Sequence, residues 1–393
     1  MLSPFLKKKT MLSPTPLSLL FALLLCLPLA ILFTIPRTTT TTTTNAIASY
    51  LQNPVDVFIR KSDSTKTHKK LKIKNVNSLP PPPPPEDDES LLRVAARVNP
   101  RPIHPKKMAF MFLTTSPLHF APLWELYFNQ TPKQLFNIYI HGDPSFNYQP
   151  PFSGVFAHRV IHSKLTQRFT PTLTSAARRL LAHALLDDPS NSMFALLSAS
   201  CIPLHSFNFT YEILTRSKRS FIEILKEEIF TYDRWSARGE EAMLPEVKLE
   251  DFRIGSQFWV LTRKHARLVV GDQRIWAKFN RTCVRMDTCY PEENYFPTLI
   301  NMRDPLGATS ATLTHVDWRG CLEGHPRMYE ASEVGPDLIR ELRNSRPRYG
   351  YDGINGTDLV VNRRKDPFLF ARKFSPESLQ PLMSIAKEAI LKE

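Results

Sequence analysis

"MAFMFLT", residues 108–114, is seven residues long, uncharged and apolar at all but its last position, and it reads as a β-strand. The neighbouring segments give it a context. "APLWELYFN" (121–129) has the spacing of a helix, and "LFNIYIHGD" (135–143) is a second strand that ends in a turn. "GVFAHRVI" (154–161) reads as a further strand. "TPTLTSAARRLLAHALLDD" (170–188) is a helix with Thr170 as N-cap and Pro171 at its first position, and "MFALLSAS" (193–200) is a buried strand. Strands alternating with helices predict an α/β fold with a mostly parallel, Rossmann-like sheet flanked by helices. Ligands of such sheets sit beyond the carboxyl ends of the strands, which points to Thr114–Ser116, His141–Asp143 and Ser198–Cys201. Further along, the pattern gives a strand over 256–262, helices from Arg263 and over 292–301, and a strand over 311–318. "FLFARKF" (368–374) and an amphipathic helix from Pro376 close the chain.

Before the first strand the composition changes. Residues 17–35, "LSLLFALLLCLPLAILFTI", are uncharged and long enough to cross a hydrocarbon core of about 30 Å as a helix. Lys7, Lys8 and Lys9 precede this run and only Arg37 directly follows it, which predicts a type II anchor with the N-terminus cytoplasmic and the body lumenal. Next come a threonine tract, scattered lysines, the prolines 80–85 and the acidic cluster 86–89, a composition too polar to build a core. The expected organisation is a cytoplasmic tail at 1–16, a transmembrane anchor at 17–35, a disordered stem at 36–106 and a lumenal body at 107–393. Four cysteines, Cys201, Cys283, Cys289 and Cys321, lie in the body, so two disulfides are possible in three connectivities. Asn129, Asn208, Asn280 and Asn355 each begin an Asn-x-Thr glycosylation sequon.

The net charge of +14 suits an anionic partner, with a sugar nucleotide or an acidic polysaccharide the natural lumenal candidates. No recognisable nucleic-acid-reading module accompanies it. The chain has no GxGxxG, no P-loop, no HExxH and no GxSxG, which removes the simplest dinucleotide, NTPase, zinc-protease and serine-hydrolase readings. It also has no Asp-x-Asp pair and no cysteine or histidine spacing of the zinc-site kind, so no bound metal is expected. In "CYPEENYFPT" (289–298), Glu292 and Glu293 are candidates for a base and, equally, for acidic decoration of a helix start. On a helix they diverge by about 100°, which rules out a facing acid/base pair of the glycosidase kind.

Seven segments, in order, resemble the plant-type branch of the core-2/I-branching β-1,6-N-acetylglucosaminyltransferase family. They are "MAFMFLTTSPLHFAPLWELYF", "FNIYIHGDP", "FALLSASCIPLHSF", "GSQFWVLTRKHARLVV", "CYPEENYFPTLI", "LTHVDW" with "GHPRMY", and "FLFARKFSPES". The resemblance spans Lys107 to Ser378. It implies a GT-A type glycosyltransferase fold, a UDP-sugar as co-substrate, inverting and metal-independent chemistry, a glycan acceptor, and a Golgi membrane location. The family pattern places the catalytic base at Glu293 and leaves Glu292 near the helix start. It places a phosphate-binding lysine at Lys373, beside Arg372, with a second cation at Arg348, or failing that Arg346, in "SRPRYGYDGINGTD". Ser200, Asp317 and Trp318 are the expected substrate contacts, with His325 close by in sequence. Ala199 stands where plant-type members more often have Glu. N-acetylglucosaminyl and glucuronosyl transfer are both compatible with this pattern. A non-catalytic, glycan-binding or scaffolding protein of the same fold is the competing function.

Overall fold

The structure is a computed structural model that describes residues 87–129, 131–320, 325–353 and 365–393. The expected cytoplasmic tail and anchor, most of the stem, Cys321 and Asn355 lie outside these residues. Among the described residues no helix is long and apolar enough to cross a membrane.

In chain order the main elements are α1 (Asp88–Ala96), β1 (Lys107–Thr114), α2 (Ala121–Phe128), β2 (Phe136–Gly142), α3 (Thr172–Asp187), β3 (Asn191–Ser198), β4 (Ile202–Pro203), α4 (Phe207–Arg216), β5 (Ser220–Phe221) and α5 (Thr231–Trp235). They continue with β6 (Val260–Thr262), α6 (Arg263–Gly271), α7 (Arg274–Phe279), α8 (Pro291–Arg303), β7 (Ala308–Thr309), β8 (Thr314–Val316), α9 (Pro336–Asn344), β9 (Phe370–Arg372) and α10 (Leu379–Ile385). Six strands form one sheet in the order β2-β1-β3-β6-β5-β7, and β4, β9 and β8 form a second, smaller one. In the large sheet β6 alone runs against its neighbours, so the sheet is mostly parallel, as expected.

The opening run decides this architecture because both of its faces are buried. Met108, Phe110 and Phe112 point into one apolar cluster with α2 and β9, while Ala109, Met111 and Leu113 point into another with α1, α3, α6 and α8. Phe110 meets Trp124, Tyr127, Phe128, Phe207 and Phe370 ring to ring, so the strand's aromatic side is the hub of one layer.

Three expectations about elements change. "GVFAHRVI" is no strand: Gly154 and His158 take left-handed backbone angles, and only Val160 bridges to Ile140 at the edge of β2. The helix α3 starts one residue later than expected, with Pro171 rather than Thr170 at the N-cap position. Helix α1 falls inside the stretch assigned to the stem. There Asp87 caps the backbone N–H groups of Glu89 and Ser90, and Leu91 and Ala95, four apart, bury against the body. The acidic cluster is therefore partly a helix start.

Candidate functional site

The carboxyl ends of β1, β2 and β3 lie side by side. Beyond β2, Asp143 is buried and accepts hydrogen bonds from the backbone and hydroxyl of both Ser145 and Thr166. Burial alone would raise its pKa, but these donors outweigh it and hold the carboxyl down at about 2. His141 is buried and its Nε2 accepts from the Lys164 N–H at 3.2 Å; burial drives its pKa down to about 4. Beyond β3, the Ser198 and Ser200 hydroxyls meet at 3.2 Å beside the buried thiol of Cys201, which is free.

Glu293 lies in the first turn of α8. Its carboxylate accepts a hydrogen bond from Arg234 Nη1 at 2.7 Å, and the Arg234 guanidinium stacks 4.5 Å above the Tyr290 ring. A disulfide between Cys283 and Cys289 closes the loop that leads into α8. The Val284 and Arg285 N–H groups of that loop both donate to Ala237 O, just past the helix that carries Arg234. The disulfide loop thereby ties the arginine and the glutamate to one another. Of the possible pairings only Cys283–Cys289 forms among the described residues.

Two more carboxyls flank Glu293. Glu292 is not a solvated helix start: it is 6% exposed, its Oε2 has no hydrogen-bond partner, and burial, aided by the charge of Glu293, pushes its pKa up to about 7. Glu223, two residues beyond β5, retains a little surface yet is walled in by protein. Burial raises its pKa to about 7 as well, with Glu228 and Glu293 adding to the shift and Arg348 opposing it.

The cations divide into two groups. Arg348 is spent on Glu228, in a two-pronged ion pair, and on Gly353 O at 2.8 Å. Arg346 is held in the same way by Asp352, at 2.8 and 2.7 Å. Arg372 and Lys373, at the end of β9, are different. Among the described residues neither side chain has an ion-pair or hydrogen-bond partner, and the Arg372 Nε is buried without one. Arg372 rests 4.5 Å over the Phe258 ring. Burial lowers the pKa of both; the positive charge of Arg168 lowers both further, and Glu293 opposes the shift at Arg372. Arg168, exposed beside Phe169, has only the His325 ring nitrogen, at 3.4 Å, as a polar side-chain partner among the described residues. Three mutually interacting cations therefore lack a carboxylate partner among the described residues, and one of them, Arg372, is within electrostatic reach of Glu293.

The structure thus brings Arg372 within electrostatic reach of Glu293 and of the Cys201 thiol next to Ser200, with Lys373 adjoining Arg372, while Arg348 acts on Glu223. Asp317 follows Val316, which pairs with Arg372 between β8 and β9, but its carboxylate is taken up by other partners. It is buried, held by Arg319 through two nitrogens and approached by Tyr329 and Arg327, and these partners overcome burial to keep its pKa at about 2. Trp318 beside it is 56% exposed. Asn129, Asn208 and Asn280 are all exposed. Sequence reasoning missed Arg168, Arg234 and Glu223, none of which stands in a motif that could have flagged it. A cavity of about 610 Å³ opens at the opposite end of α8, lined by Lys264, Arg267, Arg274 and Arg303, and shares none of these residues. Among the described residues no group of three or more His, Cys, Asp or Glu side chains is placed to hold a metal ion.

Residues 108–343 match the family model described as Core-2/I-Branching enzyme. The chain is also 30% identical over 317 residues to a protein of Oryza sativa subsp. japonica named Glycosyltransferase BC10, an alignment that covers 71% of this chain and 77% of that one.

Proposed function

The chain belongs to the core-2/I-branching enzyme family and is a glycosyltransferase, working between a nucleotide-sugar donor and a glycan acceptor, and from that premise we propose an inverting, metal-independent transfer from a UDP-sugar to a glycan hydroxyl. The observation that carries this reading is the pair Arg372 and Lys373, two cations that burial disfavours and that no carboxylate among the described residues balances, beside a glutamate in a helix's first turn. Such a pair is costly without a ligand and suits a diphosphate.

In the proposed reaction the Glu293 carboxylate takes the proton of the acceptor hydroxyl as that oxygen attacks the anomeric carbon. The bond from that carbon to the diphosphate oxygen breaks, and UDP leaves with the electron pair. Lys373 and Arg372 stabilise the charge that develops on it, with Arg348 a more distant contributor. Arg234 fixes the orientation of Glu293 through the 2.7 Å hydrogen bond. Ser200, Asp317 and Trp318 are the proposed substrate contacts, with Asp317 acting through the loop its network holds. The transferred sugar is N-acetylglucosamine or glucuronic acid. The setting is the Golgi lumen, behind a single type II span at 17–35. The Cys283–Cys289 disulfide and the exposed sequons are compatible with an oxidising, glycosylating compartment.

The test uses the purified full chain with a panel of UDP-sugars and glycan acceptors, with and without EDTA. Acceptor-dependent UDP release should persist in EDTA. Glu293→Gln should lower turnover by about 10² to 10⁴, the usual cost of losing a general base, while UDP affinity stays within a few fold. A Glu293→Gln chain that turns over at the unaltered rate would remove Glu293 from the mechanism.

A further inference from the structure

We infer that Pro297 and Gly255 are positioning residues for Glu293: the proline withholds a helical hydrogen bond from the Glu293 carbonyl, and the glycine N–H takes that carbonyl instead. This inference rests on the role of Glu293 proposed above.

Pro297 lies inside α8, four residues after Glu293. In an α-helix the N–H of residue i+4 would bond to the carbonyl of residue i, but proline has no N–H and its ring presses against that carbonyl. The Glu293 carbonyl is therefore free and tilted outward. The Gly255 N–H donates to it at 2.9 Å. No larger residue fits there, because a Cβ on Gly255 would stand 2.1 Å from the Glu223 carbonyl oxygen and 3.4 Å from Pro297 Cγ. The glycine is thus wedged between the backbones that carry Glu223 and Glu293.

The same loop is fastened at further points. Leu225 and Ile254 exchange backbone hydrogen bonds at 2.8 and 3.2 Å, and the Arg253 N–H donates to Thr298 Oγ1 at 3.0 Å. Asn294 Nδ2 reaches Arg253 O at 3.4 Å. The segment 253–255 is thereby a middle layer between the segment that follows β5, which carries Glu223, and the first turns of α8. A proline inside a helix costs stability unless the carbonyl it frees has a partner elsewhere. Here the partner is the layer that aligns the base.

The test is Pro297→Ala in the full chain. Alanine restores an N–H that competes with Gly255 for the Glu293 carbonyl and at the same time favours the helix. The expected result is a variant at least as resistant to unfolding as the parent, with kcat about tenfold lower, KM for the donor within twofold, and faster amide exchange at Gly255. A purely structural proline predicts the opposite split, a change in stability with kcat intact; unchanged kcat with Gly255 still protected would overturn the inference. Exchange in the unaltered chain is an independent check should the variant fold poorly. Slow exchange of the Gly255 amide supports the contact, and exchange as fast as that of an exposed loop refutes it. Because exchange needs no substrate, a parent chain without transferase activity would sink the proposed reaction and leave the clamp to be judged separately.

Discussion

Replacing Glu292 by Gln tests the electrostatics of the site without touching the proposed base. Burial holds the Glu292 carboxyl at about 7 in the folded chain, against 4.5 for an ordinary glutamate. A carboxyl whose pKa is raised on folding binds its proton more tightly in the folded state. The stability linked to that proton is complete below pH 4.5 and is lost as the pH rises through 7. Over that window the difference amounts to about 3 kcal/mol. Gln keeps the shape and does not titrate, so the variant escapes the loss. Urea unfolding followed by tryptophan fluorescence, on both chains from about pH 5 to about pH 8.5, measures the gap directly. The variant should gain on the parent by about 2 to 3 kcal/mol across that range. Glu223, with a similarly raised pKa, imposes the same slope on both chains and cancels. A gap that stays constant across this range would mean that Glu292 is ionised at little cost in the fold, and the reasoning from burial would fail. Turnover should remain within a few fold of the parent throughout.

Two other outcomes are expected from the geometry. Lys373→Ala should weaken UDP binding in EDTA by tenfold or more, measured by calorimetry, whereas Arg348→Ala should have a smaller effect because that guanidinium is already given to Glu228 and Gly353; the reverse order would overturn the assignment. Changing both Cys283 and Cys289 to Ser should cost about 2 kcal/mol in urea unfolding, as expected for so short a loop, and should lower turnover further by loosening the contact of 284–285 with Ala237. Loss of stability with turnover intact would show that the loop does not align the base.

Much of the fold was legible because its central strands are buried on both faces. "MAFMFLT" and "MFALLSAS" carry no alternation to misread, and the helix over 170–188 is rich in Ala and Leu and buried on most of its faces. What misled was local. "GVFAHRVI" has a strand's composition, but two left-handed residues turn it away from the sheet edge, and backbone sign is not written in side-chain type. The acidic run before Leu91 has a stem's composition, and only the spacing of Leu91 and Ala95 marks it as a helix. The site was legible where one segment carries it, as in "PEEN" and "ARKF". It was illegible where partners come from far apart in sequence. Arg234 reaches Glu293 across 59 residues, and Arg348 reaches Glu228 across 120, so no spacing rule could have paired them.

These pairings give the site a direction. Arg234 and Arg348 are matched by Glu293 and Glu228, so their charges are already balanced. Arg168, Arg372 and Lys373, by contrast, have no carboxylate partner among the described residues, and Arg168 weakens the hold of the other two on their protons. A dianionic group approaching the site is drawn to these three, since its charge relieves repulsion already present among them. In the proposed reaction this uneven charge would draw the donor diphosphate toward Arg372 and Lys373, within electrostatic reach of the carboxylate assigned as the base.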